Sequence, residues 1–225
     1  SGDMDIVIAG GVESMTRAPM FKNVGETKPS RRLTKQHNIV NQGISAELIA
    51  EKWGFSRRQL DEYAYQSHQL ALSAIENGYY ADEIVPIKVT DEHGKEKIVD
   101  VDEGPRPETT IDILSELPPV FKEDGKITAG NSSQMSDGAS AVLLMSKEKA
   151  DELGLKPKAK MVARSVVGSD PTLMLTGPIE ATRQVLKRAN LNLDDIARYE
   201  VNEAFAPIPL AWLHDLQADE EKLNV

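Results

Sequence analysis

The chain has 225 residues, of which 40% are hydrophobic, enough apolar side chain for a core in one large or two modest domains. Its 26 Lys and Arg against 36 Asp and Glu give a formal net charge of −10, which excludes an extended nucleic-acid surface, since that needs clustered cations. Cysteine is absent, the histidines at 37, 68, 93 and 214 lack ligand spacing, and no apolar run or leader pattern stands out, so the expectation is no metal, no membrane and a cytoplasmic location.

Residues 5–11, Asp-Ile-Val-Ile-Ala-Gly-Gly, read as a buried strand entering a tight turn. So short a lead brings no neighbours with it, and further polypeptide is expected upstream. Residues 17–43 lack a period and read as loop. Within them Lys22, Lys28, Arg31, Arg32 and Lys35 form a basic patch, either a solvated loop or an attractor for a phosphorylated small ligand. A helix is expected from Ser45, with Ser45 as cap, Glu47 in the first turn, and Ile44, Leu48, Ile49 and Trp53 on one side. Ser56 and Gln59 have capping-box spacing and open a long helix that ends at Gly78, its apolar residues repeating at three and four from Leu60 to Ile75. Residues 83–89 and 97–101 alternate about His93-Gly94 as an antiparallel pair with Pro86 at an edge. A short helix over 111–117 lies between proline-rich stretches.

Small residues and turn formers crowd positions 128–140, and Ala139 to Met145 reads as a strand buried on both faces. Bare backbone N–H groups on such a loop suit a ligand, and a plain turn between strands is the other reading. Ser146 then caps a helix ended by Gly154, residues 158–167 read as a strand, and Gly177-Pro178 starts a helix that runs to Asn190. Residues 198–201 read as a strand, followed by Asn202-Glu-Ala-Phe205 and a helix carrying Leu210, Ala211, Leu213 and Leu216. Strands alternating with helices imply an α/β protein, and the C-terminus stops in mid-pattern, as if more chain should follow.

Asn202, at a strand end, either caps the next helix or offers an amide to a carbonyl oxygen or its water. Glu203 suits a helix N-terminus or orients a partner. Arg106, between two prolines, forms a surface ion pair or stacks on an adenine and binds phosphate. Ser132 and Ser133 lack the setting of a hydrolase nucleophile.

Ala9-Gly-Gly-Val-Glu-Ser-Met-Thr-Arg-Ala-Pro19, Gly43-Ile-Ser-Ala-Glu47, Ser56-Arg-Arg-Gln-Leu-Asp-Glu-Tyr-Ala64, Glu83-Ile-Val-Pro86, Thr128-Ala-Gly-Asn131, Asp137-Gly-Ala139 and Asn202-Glu-Ala-Phe-Ala206 together resemble the thiolase family in order and approximate spacing. The resemblance implies an enzyme that moves acyl groups between a cysteine and coenzyme A, by 3-ketoacyl-CoA thiolysis or acyl-CoA condensation. It implies a layered αβαβα fold of duplicated halves with an inserted helix-rich α+β loop domain, incomplete here. Residues 1–20 would end the first half, 21–135 form the inserted domain, 136–155 return to the first half and 156–225 open the second.

By the same resemblance Asn202 holds the oxyanion-hole water, Met174 lines the acyl pocket, and Ala129 and Ser133 contact the pantetheine arm. Phe121 and Phe205 flank that arm, and Arg106 lies near the adenine and phosphates. A His-Met pair of some relatives is replaced by Asn41-Gln42, and a serine near the adenine by Ile113. The family's nucleophilic cysteine, its Gly-His-Pro histidine and its second cysteine are expected outside this chain, which alone would form no acyl-enzyme. Acyl-CoA is then a substrate rather than a resident cofactor, and a homodimer or homotetramer is expected. The alternative is a non-catalytic thiolase-like subunit that binds acyl-CoA or a partner chain.

Overall fold

The computed structural model describes residues 3–22, 24, 25 and 27–225; Ser1 and Gly2, and Asn23 and Glu26 of the expected 17–43 loop, lie outside the described residues. In chain order the elements are β1 (Ile6–Ser14), α1 (Arg31–Gln36), α2 (Gln42–Lys52), α3 (Arg57–Glu76), β2 (Ile87–Thr90), β3 (Glu96–Val99), α4 (Ile111–Glu116), β4 (Asp137–Met145), α5 (Lys147–Glu152), α6 (Gly177–Ala189) and α7 (Pro207–Leu216). The chain is mixed α/β, and among the described residues its ladders are two antiparallel pairs, β1 with β4 and β2 with β3. Two compact units result, one of residues 1–36 with 135–165, the other of 37–134 with 166–225.

In the first unit β1 and β4 pair along their full length, from Ile6 opposite Met145 to Ser14 opposite Asp137. The Asp137 carboxylate closes one end, accepting from the Thr16 N–H at 2.9 Å and the Ser14 hydroxyl at 3.2 Å, and these donors hold its pKa below the usual value. Both strands were expected to be buried. They are open instead, with Ile8, Val12 and Val142 at 74%, 80% and 59% exposure. Their apolar composition matches a covered strand, but burial depends on what packs over the faces, and no described residue of this unit covers them. Residues 158–167, expected as a strand, form no ladder among the described residues, and the chain bends at Lys158. Helix α1 lies in what the sequence suggested was loop; all its residues are exposed, so it has no apolar stripe to read. Ser146 caps α5 as expected, its Oγ accepting from Lys149 N at 3.2 Å.

The second unit has a core. Ala46, Ile49 and Ala50 of α2, Leu60 of α3, Ile208 and Ala211 of α7, and Phe55, Ile127 and Phe205 from loops pack into one buried cluster. A second cluster, with Ile179, Tyr199, Val201, Trp212 and Leu223, joins α6 to α7. The Trp212 indole N–H donates to Thr182 Oγ1 at 2.9 Å and pins the same pair of helices.

Helix α2 begins three residues before the expected cap. Asn41 is the N-cap, its Oδ1 accepting from Gly43 N at 2.8 Å, whereas Ser45 is buried inside the helix and its Oγ has no hydrogen-bond partner among the described residues. The apolar pattern starts at Ile44, one turn late, so it misplaced the cap. Glu47 is correspondingly no first-turn surface acid: it is buried, and its carboxylate accepts from the Lys126 and Ile127 N–H groups at 2.8–2.9 Å. Helix α3 starts as the sequence indicated, with the reciprocal Ser56–Gln59 capping box. Its 20 residues extend about 30 Å at 1.5 Å per residue. Strands β2 and β3 form the expected hairpin, Ile87 opposite Val99, with Gly94 at φ 79° in the turn. The strand expected at 198–201 shrinks to one parallel bridge, Tyr199 with Leu223, bracketed by Tyr199 N donating to Lys222 O and Asn224 N to Tyr199 O.

Candidate functional site

The turn at Thr128–Ser133 is shaped from within. Asn131 Oδ1 accepts from Thr128 N at 2.9 Å while Thr128 Oγ1 accepts from Gly130 N at 3.1 Å, winding Ala129–Asn131 into a single 3₁₀ turn. The Asn131 amide donates to Asp61 Oδ1 at 2.9 Å and to Lys126 O at 3.0 Å. Asp61, in α3, takes Arg57 Nε at 2.8 Å on its other oxygen, and Arg57 Nη2 donates to the carbonyls of Leu114 and Leu117 at 2.5 and 3.0 Å. A methyl group at Gly130 would overlap Leu114 and Leu117, so only glycine lets the turn approach α4 this closely.

This turn is stitched to the Asn202–Ala206 loop. Ser133 N donates to Ala204 O at 2.9 Å and Ala206 N to Asn131 O at 3.0 Å, forming the antiparallel bridge of Ser132 with Phe205. The expectation of bare N–H groups in the turn therefore fails for Thr128, Gly130 and Ser133, whose donors are used in holding it.

Asn202 is exposed, and its Oδ1 accepts from Ala204 N at 2.9 Å. Helix α7 starts only at Pro207, so Asn202 does not cap it. Among the described residues the Asn202 amide nitrogen has no acceptor. Asn202 and Glu203 border an open cleft of about 790 Å³ whose other wall is α3, with Ser67, Leu70 and Ala74.

Glu203 fixes the Asn202 loop from behind. Its carboxylate accepts from the Tyr63 hydroxyl at 2.7 Å, the Ser67 hydroxyl at 2.6 Å and the Asn224 amide at 2.7 Å. Burial, and then the Glu203 charge, push the Tyr63 phenol well above its ordinary pKa, so it stays a donor across the physiological range. Asn224 closes the group by bonding both the N–H and the carbonyl of Val201 at 2.8 Å.

The remaining expected site residues divide into those near this loop and those on other loops. Phe121 and Phe205 meet edge to face, centroids 5.8 Å apart, and Gly43 makes room because a methyl there would overlap the Phe121 ring. Ala129 and Ser133 are exposed on the stitched turn. Met174 is half-buried at the start of the 3₁₀ turn before α6, where its carbonyl accepts from the Ser169 hydroxyl at 3.2 Å. Arg106 is exposed in a separate loop, and its main-chain N–H donates to His68 Nδ1 at 3.1 Å. Of these expected residues only Asn202 lines the 790 Å³ cleft.

Sequence reasoning missed Asp61, Asn131, Tyr63, Ser67 and Asn224 as the residues that hold both loops. A usable signal was an Asp four residues after Arg57 and directly after Leu60, which opens the apolar repeat of α3. Among the described residues no group of three or more His, Asp or Glu comes together to hold a metal ion, and no helix is long and apolar enough to cross a membrane.

Comparison with known proteins points one way along the whole chain. The family model described as "Thiolase, N-terminal domain" matches residues 1–148, and "Thiolase, C-terminal domain" matches residues 155–225. A 3-ketoacyl-CoA thiolase of Bacillus subtilis is 46% identical over 234 residues, covering 100% of this chain and 59% of that protein. A probable acetyl-CoA acyltransferase of Staphylococcus epidermidis is 41% identical over 237 residues, covering 100% and 60%. The crystal structure of the Bacillus anthracis acetyl-CoA acetyltransferase superposes with a TM-score of 0.86 at 40% identity, covering 99% of this chain and 59% of that one. Human mitochondrial 3-ketoacyl-CoA thiolase gives 0.86 at 38% identity, covering 98% and 58%. The chain thus spans about three fifths of the length of the relatives it matches.

Proposed function

Since this chain belongs to the thiolase family, we propose that it serves acyl transfer between a cysteine thiolate and coenzyme A, by thiolysis of a 3-ketoacyl-CoA or by acyl-CoA condensation. What supports this reading is the stitch between the Thr128–Ser133 turn and the Asn202–Ala206 loop, in a chain that the two thiolase domain models match over residues 1–148 and 155–225.

In this reading Asn202 supports the oxyanion that develops on a thioester carbonyl, directly or through a water. A preorganised donor there contributes on the order of 3 kcal/mol to the transition state. Ala129 and Ser133 offer little side chain and admit the pantetheine arm, with Phe121 and Phe205 beside it and Arg106 facing the adenine and phosphates. Met174 belongs to the acyl side. Residues 21–135 act as the coenzyme cover inserted in one half, between 1–20 and 136–155, and 156–225 open the other half. A cytoplasmic location and a homodimeric or homotetrameric assembly complete the proposal.

No cysteine occurs among the 225 residues, so these residues supply cover and oxyanion support but not the nucleophile. The chain by itself is expected to bind coenzyme A in calorimetry and to show no detectable thiolysis of acetoacetyl-CoA. Turnover by the chain alone would overturn the cysteine route, and absence of coenzyme binding would remove the cover.

A further inference from the structure

We propose that His68 is a positioning residue for the nucleotide end of the coenzyme, acting by holding the main chain of Arg106; the proposal rests on the coenzyme reading above. Arg106 stands between Pro105 and Pro107, so its N–H is the sole main-chain donor in three successive residues. That donor goes to His68 Nδ1 at 3.1 Å. Two further ties fix the loop: Gly104 N donates to Asp102 Oδ1 at 2.8 Å, and the Gln134 amide donates to the Gly104 carbonyl. Gln134 directly follows Ser133, so His68 on one side and Gln134 on the other set where the Arg106 loop stands relative to the stitched turn. A guanidinium on a rigid loop recognises phosphate with less entropy lost than one on a free loop.

An Nδ1 that accepts must carry its lone pair, which leaves the proton on Nε2 and the ring neutral. The surroundings agree. Burial lowers the His68 pKa first, the Arg106 cation facing it from the loop lowers it next, and the Glu203 carboxylate from the loop before α7 opposes them. A protonated ring would set an N–H against the Arg106 N–H and release the loop. The sign follows: with the folded-state pKa depressed, the contact is intact above the ordinary histidine pKa of about 6.5 and is lost only as pH falls through the lower folded-state pKa.

Calorimetry of the 225-residue chain with coenzyme A and with pantetheine, which lacks the nucleotide, tests this. His68→Leu should reduce the preference for coenzyme A over pantetheine about tenfold, a loss of about 1.4 kcal/mol, and leave pantetheine affinity unchanged. His68→Asn, whose Oδ1 can stand where Nδ1 stood, should restore the preference and remove the His68 part of its pH dependence. Because the coenzyme's own phosphate titrates near pH 6, the pH arm is read as the difference between wild type and His68→Asn from about pH 7.5 to 5.5. A His68→Leu chain with the wild-type preference, or a His68→Asn chain with the wild-type pH profile, would overturn the role of His68 while leaving the coenzyme site standing. A wild-type chain that binds neither compound would overturn the site itself and this inference with it.

Discussion

Helix α3 carries two polar clusters that hold the candidate site, and they are built differently. At its N-terminal end Arg57 and Asp61 hold the Thr128–Asn131 turn; further along, Tyr63 and Ser67 hold Glu203 and with it the Asn202 loop. The first is closed: the Asp61 side chain is 2% exposed, Arg57 is 24% exposed, and the carboxylate is matched on both oxygens. The second borders the open cleft, and among the described residues the Asn202 amide nitrogen beside it has no acceptor. A closed cluster fixes a shape, because any unmatched group inside it is expensive, whereas an open one leaves a donor for a ligand. The two therefore should answer differently to substitution, the first in stability and the second in function.

The largest effect is expected from Asp61→Ala. It strands the Arg57 guanidinium and the Asn131 amide together, and breaking a buried pair in this way costs about 3–5 kcal/mol, the lower end being apt because Arg57 keeps two carbonyls and some solvent. Urea denaturation should show a reduced midpoint with an unchanged slope. A loss under about 1 kcal/mol would mean the first cluster is not the closed unit described here.

Glu203→Gln should cost less, about 1–2 kcal/mol, since a carboxylate serving three donors becomes an amide able to serve fewer. Its larger consequence is expected at Asn202, as a loss of coenzyme-thioester binding disproportionate to the loss of stability. Raising the pH should act in the same direction. The Tyr63 phenol has a raised folded-state pKa, so its contribution is full below the unfolded value of about 10 and falls away as pH rises beyond it. If Glu203→Gln destabilised the chain as much as Asp61→Ala and left binding intact, the contrast between the clusters would collapse.

How far this was legible in the sequence depends on how local each signal is. The start of α3 was readable because a capping box and a period of three and four lie within a few residues of what they determine. The exposure of β4 was not: Ala-Val-Leu-Leu-Met looks buried, yet whether it is depends on layers elsewhere. Within the site, Asn202, Phe205 and the Thr128 turn stood out as motifs, whereas the Asp61–Asn131 bond spans 70 positions and the Glu47 bonds to 126 and 127 span 79 and 80. Nothing in the sequence marked Arg57 and Asp61 beyond their place in a long helix, and Glu47 looked like an acid favoured in a first helical turn. Long-range polar closure leaves no periodic trace, so it emerges only once the chain is folded.

The smallest effect is expected where charge is present without burial. Lys122 and Glu51 form a direct ion pair, with side chains 49% and 46% exposed. Each shifts the other as a pair should: the bond to Lys122 lowers the Glu51 pKa, and the bond to Glu51 raises that of Lys122. By sign, the Glu51 contribution holds above the unfolded carboxylate pKa and the Lys122 contribution below the unfolded ammonium pKa, so the pair is complete across the neutral range. Solvent nevertheless screens both ends, and holding two long side chains in one geometry offsets most of the attraction. Lys122→Met should leave the urea midpoint unmoved at about 0.15 M salt, with any difference confined to low ionic strength. A shift comparable to that of Asp61→Ala would show that charge itself, rather than its enclosure by α3 and α4, stabilises this unit.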